Sequence, residues 1–417
     1  MRARIAQLID HLRTGFWFLP SSMMFFATCL ALFLLWVDQK VDPGINASLP
    51  WAYSGGAEGA RSLLSTIAGS MITAASVTFS LASVALSIAS QQYGSRVLRN
   101  FMRDRITQVL LGTFVSTFVY SVLIVRSIRG SDFSGGFVPA ISVTGAIALS
   151  LISLILLVYF VHHVSTSIQA SHIVRVIAED LNKAIPELYP VSPRGNTTKG
   201  SALEDLHKLP MHTISKDQSG YIQSVDLEAL IDIAARNDAV IEVVIKPGDH
   251  FICQSSIAII WGDRQIATED LRRASTAFLI GGERTPLQDI RFQFQQLTDV
   301  IVRALSPGIN DPFTAINGID ALASAACQLA RRPRVADARN DPSGKLRIIV
   351  STPSIGEIMR DTVGHIALYA AGNPFVMAPL RGVLQLIEPN LTGQDERAML
   401  SELHEDLNRL EARAARN

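Results

Sequence analysis

The sequence predicts an α-helical integral membrane protein with four transmembrane helices and a C-terminal cytoplasmic α+β region, the latter holding a small β-barrel-like module and a helical bundle. Three observations carry that expectation. Four uncharged or nearly uncharged stretches are long enough to cross a hydrocarbon core of about 30 Å, which takes about 20 residues of helix, and 48% of the 417 residues are hydrophobic. Charge divides the chain: residues 1–161 hold ten Arg and Lys40 against six acids, and the remainder holds 26 basic and 31 acidic groups. Beyond residue 217, short β-branched runs with Gly/Pro turns give way to helical periodicity. Neither half carries the clustered basic stripe of a nucleic-acid binder. Cys29, Cys253 and Cys327 are scattered without a CxxC, which argues against a disulfide framework or a zinc knuckle.

The first span, Thr14 to Val37, follows a basic flank. It is long, ends in LLWVDQK and lacks a small-residue cleavage site, so it reads as a retained anchor rather than a signal peptide. The second span is the run Ser62 to Ser95, the third Ile106 to Val125, and the fourth Phe133 to Val161; together they make a transmembrane domain over 1–161. Arg96, Arg99, Arg103 and Arg105 follow the second span and fall on the same side as Arg2, Arg4 and Arg13, against Lys40, Arg61, Arg126 and Arg129 opposite. The bias of basic loops toward the cytoplasm then predicts that both termini are inside.

Within the second span Thr66, Gly69, Thr73, Ser76, Ser80, Ser83, Ser87 and Ser90 recur at alternating steps of three and four. That is a seven-residue repeat, which keeps one seam on one face of a left-handed supercoiled helix. Ile67, Leu81 and Ile88 flank the seam on one side and Ile72, Phe79 and Leu86 on the other, while Ala68, Ala75, Ala82 and Ala89 lie almost opposite. Two readings compete. Small seams let helix backbones approach closely, with hydroxyls bonded across the contact or to their own carbonyls. Alternatively the seam lines a water-filled passage in a ring of copies, with Arg96 and Arg99 at the inner mouth biasing it toward anions.

Residues 162–217 read as a connecting helix and a linker. SIQASHIVRVIAEDLNKAI continues out of the membrane with Ile173, Ile177 and Leu181 on one face, and VSPRGNTTKGS is a loop. The small β module over 218–265 contains GYIQSV, VIEVVI and the turn Pro247-Gly248-Asp249. Its hairpins resemble those of biotinyl domains, but no lysine stands at a modifiable tip, so no lipoyl or biotinyl group is expected. From 266 to 417 helices dominate. Pro286 is expected to open TPLQDIRFQFQQLTDVIVRAL, with Leu287, Ile290, Phe294, Leu297, Ile301 and Leu305 buried and Asp289, Arg291, Gln295, Asp299 and Arg303 on a solvated face. In SPGINDPFTAINGIDAL, Ser306-Pro307-Gly308 stops that helix, Asp311 caps the next and Pro312 occupies its first turn. The same stretch offers Asn310, Asp311, Asn317 and Asp320 as candidates for binding an anion or a small polar ligand at a helix N-terminus; a plain helix-loop-helix is the preferred reading and explains every residue but Asn310 and Asn317. A strand at KLRIIV and three helices from Ser354 follow, the last with a face of Leu400, Leu403, Leu407 and Leu410.

An enzyme should show a nucleophile with its base, a metal constellation or a phosphate cradle. The sequence has no HExxH, GxSxG or Walker loop. His162, His163 and His172 are the best metal candidates, yet no carboxylate stands nearer than Glu179, and they read as polar anchors at the membrane edge. No catalytic residue, metal or cofactor is therefore expected. QQYGSRVLRNFMRDR, LVYFVHHVSTSIQ, the PGD turn and above all RTPLQDIRFQFQQLTDVIVRALSPGINDPFTAINGIDAL resemble the bacterial predicted membrane proteins grouped as domain of unknown function 2254. The resemblance covers nearly the whole chain and implies the inner membrane of a bacterium; it brings no catalytic residues with it. QQYGSR departs from the QFSPR-like form of that family and lacks its proline. The expected function is a homo-oligomeric channel or transport protein whose partners are the lipid membrane, its own copies, and ions or a small polar ligand; the alternative is a membrane-anchored sensor or scaffold.

Overall fold

The computed structural model describes residues 17–40, 52–93, 105–129, 137–167, 169–190, 206, 209–263, 265–333, 337–391 and 393–416, with side chains 89–93 and 167 outside the description. The chain divides into two compact units, one up to Gln169 and one from Ala170 to Asn417.

The first unit is helical. Its helices α1 (Phe18–Lys40), α2 (Ala57–Tyr93), α3 (Arg105–Ser127) and α4 (Ala140–Ser167) are each long and apolar enough to cross a membrane. α3 is the most buried and packs against the other three. Close approach is set by small residues: a Cβ on Gly112 of α3 would lie 2.6 Å from Met23 Sδ and 3.1 Å from Pro20 Cα, and one on Gly145 of α4 would lie 2.6 Å from the Tyr120 hydroxyl. Hydroxyls bridge the same contacts, with Thr117 and Ser153 3.3 Å apart and Tyr120 donating to the Ser142 carbonyl at 2.8 Å.

One carboxylate joins the first span to the last. Asp38, buried near the end of α1, accepts from the Ile141 and Ser142 amides at 3.0 and 2.9 Å and from the Ser142 hydroxyl at 2.6 Å. These amides belong to the first turn of α4 and have no partner within the helix. Asp38 thus caps a helix about a hundred residues away, in a setting where an unsatisfied backbone amide costs several kcal/mol. On the neighbouring turn Arg61 of α2 donates to the Ile128 carbonyl at 2.9 Å beyond the end of α3.

The second unit begins with α5 (Ala170–Leu188), which buries Ile173, Ile177 and Leu181. Strands β1 (Met211–Ile214), β2 (Gly220–Val225), β3 (Val240–Val243), β4 (His250–Phe251), β5 (Ala258–Trp261) and β6 (Phe278–Gly281) follow, with α6 (Leu227–Arg236) after β2 and α7 (Thr268–Thr276) after β5. Farther on come α8 (Ile290–Ala304), α9 (Pro312–Ala330), β7 (Ala338–Asn340), β8 (Leu346–Val350), α10 (Ile355–Met359), a π-helical turn (Arg360–Gly364), α11 (His365–Ala370), α12 (Pro374–Ile387) and α13 (Gln394–Ala414).

The expected β-barrel-like module is replaced by two open sheets, one ordered β1-β5-β3-β8-β7 and the other β4-β2-β6. The strands of 218–265 are shared between them. β3 pairs parallel with β8, with Ile241 opposite Ile348, and this pulls KLRIIV into the sheet from far along the chain. The physical reason is α6: its buried Leu230, Ile233 and Ala234 join the core with Ile241, Ile260 and Ile348. A helix inserted after β2 covers a sheet face and leaves no short hairpin to close a barrel.

The helix expected from Pro286 starts four residues later. Asp289 accepts from the Phe292 amide at 3.0 Å, so 286–288 form a turn and Leu287 is 46% exposed. Asp289 itself is buried rather than solvated, paired with Arg284 at 2.7 Å and covered by the Pro247-Gly248-Asp249 turn, where a Cβ on Gly248 (φ +94°) would collide with its carboxylate. The expected buried positions Ile290, Phe294, Leu297 and Ile301 are buried, and Gln293, Gln296 and Thr298 join them. In α13 Leu400, Leu403 and Leu407 pack inward, with Met399 and Leu403 against Gly356 and Gly364.

Replacing Asp38 by Ala is expected to cost about 1–2 kcal/mol, read as a lowered melting temperature of the detergent-solubilised protein, with Asp38→Asn losing less. Burial, partly opposed by Arg284, holds the Asp289 carboxyl above the ordinary carboxylate range. The folded chain keeps that proton to higher pH than the unfolded chain, so this contribution is complete below the ordinary range and lost as pH rises through the raised value. The Thr314 hydroxyl, bonded to the Asp311 carboxylate, holds it below that range; its contribution is present above the range and lost as pH falls through the lowered value. Thermal unfolding against pH should therefore lose, in Asp289→Asn, the decline that sets in as pH rises just above the ordinary carboxylate range and, in Asp311→Asn, part of the decline as pH falls below it.

Candidate functional site

The second span puts its small hydroxylated seam on an open face. Thr66, Gly69, Thr73, Ser76, Ser80, Ser83 and Ser87 are all exposed, while Ala68 and Ala75 on the opposite face are buried and Ala82 is half-buried. Ser90 lies on α2, with its side chain outside the description, and Arg96 and Arg99 lie outside the described residues. The asymmetry follows from packing. Ala60, Leu64 and Ile67 join Tyr120, Ile124 and Val143 in one core, and Ala75 joins Leu110, Phe114 and Phe160 in another. Both cores draw on the face opposite the seam.

Three of the seam's hydroxyls are satisfied locally. Thr66 donates to the Ser62 carbonyl at 2.8 Å, and Thr73 and Ser76 donate to those of Gly69 and Ile72 at 2.9 Å. Such bonding to the preceding turn frees the seam from needing a neighbour. A Cβ added to Gly69 would meet nothing within 4 Å, unlike one at Gly112. Along one border Ser70, Ala74 and Val77 join Thr66, Gly69 and Thr73 and, from α4, Leu157 to form an open groove. Of the two flanks, Ile72 and Phe79 are exposed along one, whereas the other begins with buried Ile67 and opens at Leu81.

The candidates in the second unit part company. Asp311 is spent as a cap, accepting from the Thr314 amide at 3.1 Å and its hydroxyl at 2.6 Å. Asn310 takes the left-handed conformation (φ +47°) that ends the loop, and Asn317 and Asp320 are exposed one turn apart on α9. Of the histidines, His163 stacks on Tyr159, and His172 lies 3.0 Å from an Arg175 nitrogen. Among the described residues no group of three or more His, Cys, Asp or Glu is placed to hold a metal ion.

Two structural features escaped the reading from sequence. The Asp38 clamp has no local signature, because its partners are distant amides. The second was visible: Asn373-Pro374-Phe375 repeats Asp311-Pro312-Phe313, and Asp299 and Asp361 each stand thirteen residues before the proline.

Four apolar helices with an exposed polar seam, followed by an α+β region of open mixed sheets and helices, define a multi-pass membrane protein with a large extramembrane unit. The chain belongs to the predicted membrane protein family DUF2254, whose model matches residues 13–385. It is similar to an uncharacterized protein of Mycobacterium bovis and to one of Mycobacterium tuberculosis, each 30% identical over 403 residues, covering 95% of this chain and 76% of the relative. No solved structure matches the chain.

Glycines on the two sides of the first unit should respond oppositely to bulk. Gly112→Leu is expected to lower the melting temperature of the solubilised protein through the clash with Pro20 and Met23, whereas Gly69→Leu leaves it unchanged as long as the protomers are dispersed.

Proposed function

We propose that this chain is a homo-oligomeric membrane channel or transport protein in which the hydroxyl seam of α2 faces a pore and the C-terminal unit is a cytoplasmic regulatory domain. The observation that supports the reading is the exposure of seven consecutive seam positions while the alanine face of the same helix is buried. In hydrocarbon a hydroxyl gains nothing over a methyl group, so a seam kept polar over six turns suits water or another protein surface better than lipid. At 37 residues α2 extends about 55 Å, beyond what the hydrocarbon core requires. A ring of copies built on its open flanks, Ile72 and Phe79 against Leu81 of the next, turns the seams inward. Arg96 and Arg99, which follow α2 in the sequence, would then stand at the inner mouth and favour anions, and both termini would be cytoplasmic in a bacterial inner membrane, as the distribution of arginines suggests.

Single cysteines at Ser76, Ser80, Ser83 and Ser87, with the native cysteines replaced, are expected to react with a membrane-impermeant thiol reagent, and those at Ala75 and Ala82 are not. Purified protein in liposomes should pass small anions, with a rate reduced several-fold when Arg96 and Arg99 are replaced by Gln. Uniform protection of all six positions together with the absence of flux would overturn the reading in favour of a non-conducting sensor or scaffold.

A further inference from the structure

Five large apolar side chains of the second unit stand exposed around two loops: Ile309 (46%), Phe313 (77%), Leu368 (61%), Tyr369 (51%) and Phe375 (81%). Connectivity places both loops at one end of the helical bundle. The Tyr189 hydroxyl donates to the Pro353 carbonyl at 3.0 Å, and Tyr189 lies within electrostatic reach of Asp289, Arg291 and Glu357. The starts of α8 and α10 therefore adjoin one another. Arg291 reaches Asp361 on the π-helical turn at 3.1 Å, and α8 packs along that turn and α11. From the Arg291–Asp361 pair, α8 and the run that ends at Ala370 continue side by side, about 14 Å along the latter, before the chain reverses. There α9 and α12 begin, packed on each other and opened alike by an Asx cap, a proline and an exposed phenylalanine.

We infer that this end of the bundle is a lipid-bilayer anchor, with Phe313 and Phe375 entering the interfacial layer of the membrane and Ile309, Leu368 and Tyr369 supporting them. Three arguments select the bilayer as the occupant. First, size: five such side chains at these exposures present on the order of 500 Å² of apolar surface, at the upper end of patches on monomeric proteins. A protein partner would need a matching apolar face of about 450 Å², the apolar share of the roughly 800 Å² per partner of a stable interface, whereas insertion into a bilayer needs no matching surface. Second, charge: across ALSPGINDPFTA and IALYAAGNPFVM the one acidic or basic side chain is Asp311, and its carboxylate is held by Thr314. Only that carboxylate nears the headgroup layer when the tips enter, already bonded to the Thr314 amide and hydroxyl. Third, proximity: α4 ends at Ser167 and this unit starts at Ala170, so the chain's own spans keep a bilayer at high effective concentration. Prolines and caps fix the two phenylalanines in place, so little ordering entropy opposes insertion. The inference is independent of conduction through α2.

The test uses the full chain with Cys29, Cys253 and Cys327 replaced by Ser, reconstituted in phosphatidylcholine vesicles and spin-labelled at Phe313→Cys, Phe375→Cys or Leu287→Cys. Leu287 is a control of similar chemistry, exposed at the opposite end of the bundle near the start of α8. Relaxation enhancement by oxygen relative to a water-soluble nickel complex should be several-fold higher at 313 and 375 than at 287. Equal ratios at all three positions would overturn the inference. So would exclusion of both reagents at 313 and 375, which would assign the patch to a protein surface such as a second copy.

Discussion

The first-turn amides of the helices are the constraint on which the rest of this structure depends. Each helix start leaves donors without an intrahelical partner, and where a start lies in hydrocarbon or is packed against neighbouring elements no water is at hand to take them. The chain meets this with carboxylates and amides placed just ahead of the helix. Asp226, Asp289, Asp311 and Asn373 do so for α6, α8, α9 and α12, and Ser354 with Glu357 forms a capping box at α10. For α4 the cap comes from another span, Asp38. These caps do more than end loops. Asp38 fixes where the first span ends against the fourth, and Asp289, through Arg284 and the Gly248 turn, fixes the three-stranded sheet against the helices.

Legibility from sequence followed the range of the interactions. The four spans were readable because hydropathy is local, and Asp311 was readable as a cap because Asx-Pro is local. The seam on α2 was readable as a face because a seven-residue repeat needs nothing but one helix, and the burial of Ala68 and Ala75 opposite it follows the same geometry. What failed was non-local. KLRIIV pairs with VIEV across about a hundred residues, so a module drawn around adjacent strands became a barrel that the sheets do not form. Asp289 was assigned to a solvated face because periodicity assumes the helix has begun, whereas the residue sits before it and beneath a turn from another strand. Periodicity also cannot anticipate Gln293 and Gln296, polar side chains buried beside Phe292 and Phe294.

Hydroxyl content alone does not distinguish a pore from a packing contact in this unit. Thr113, Ser116, Thr117, Ser121, Ser142 and Ser153 are as small and polar as the seam, and they are buried between spans, with Thr117 and Ser153 facing each other and Ser142 bound to Asp38. Serine and threonine are therefore used here in the ordinary way, as small residues that let helices approach. The seam differs in being open; its bonds at Thr66, Thr73 and Ser76 go to its own backbone, as do those of the buried Thr113 and Ser153. A contact surface built like α3 would carry a glycine where a neighbour's backbone comes close, as Gly112 does at Pro20; Gly69 has free space around it. If copies met seam to seam, Gly69 would become the equivalent of Gly112 and bulk there would break the assembly. If the seams face water, bulk at Gly69 would narrow the passage and leave the assembly whole. The same residue thus separates the two uses of the seam, because close packing and a water-filled lumen demand opposite things of the space above it.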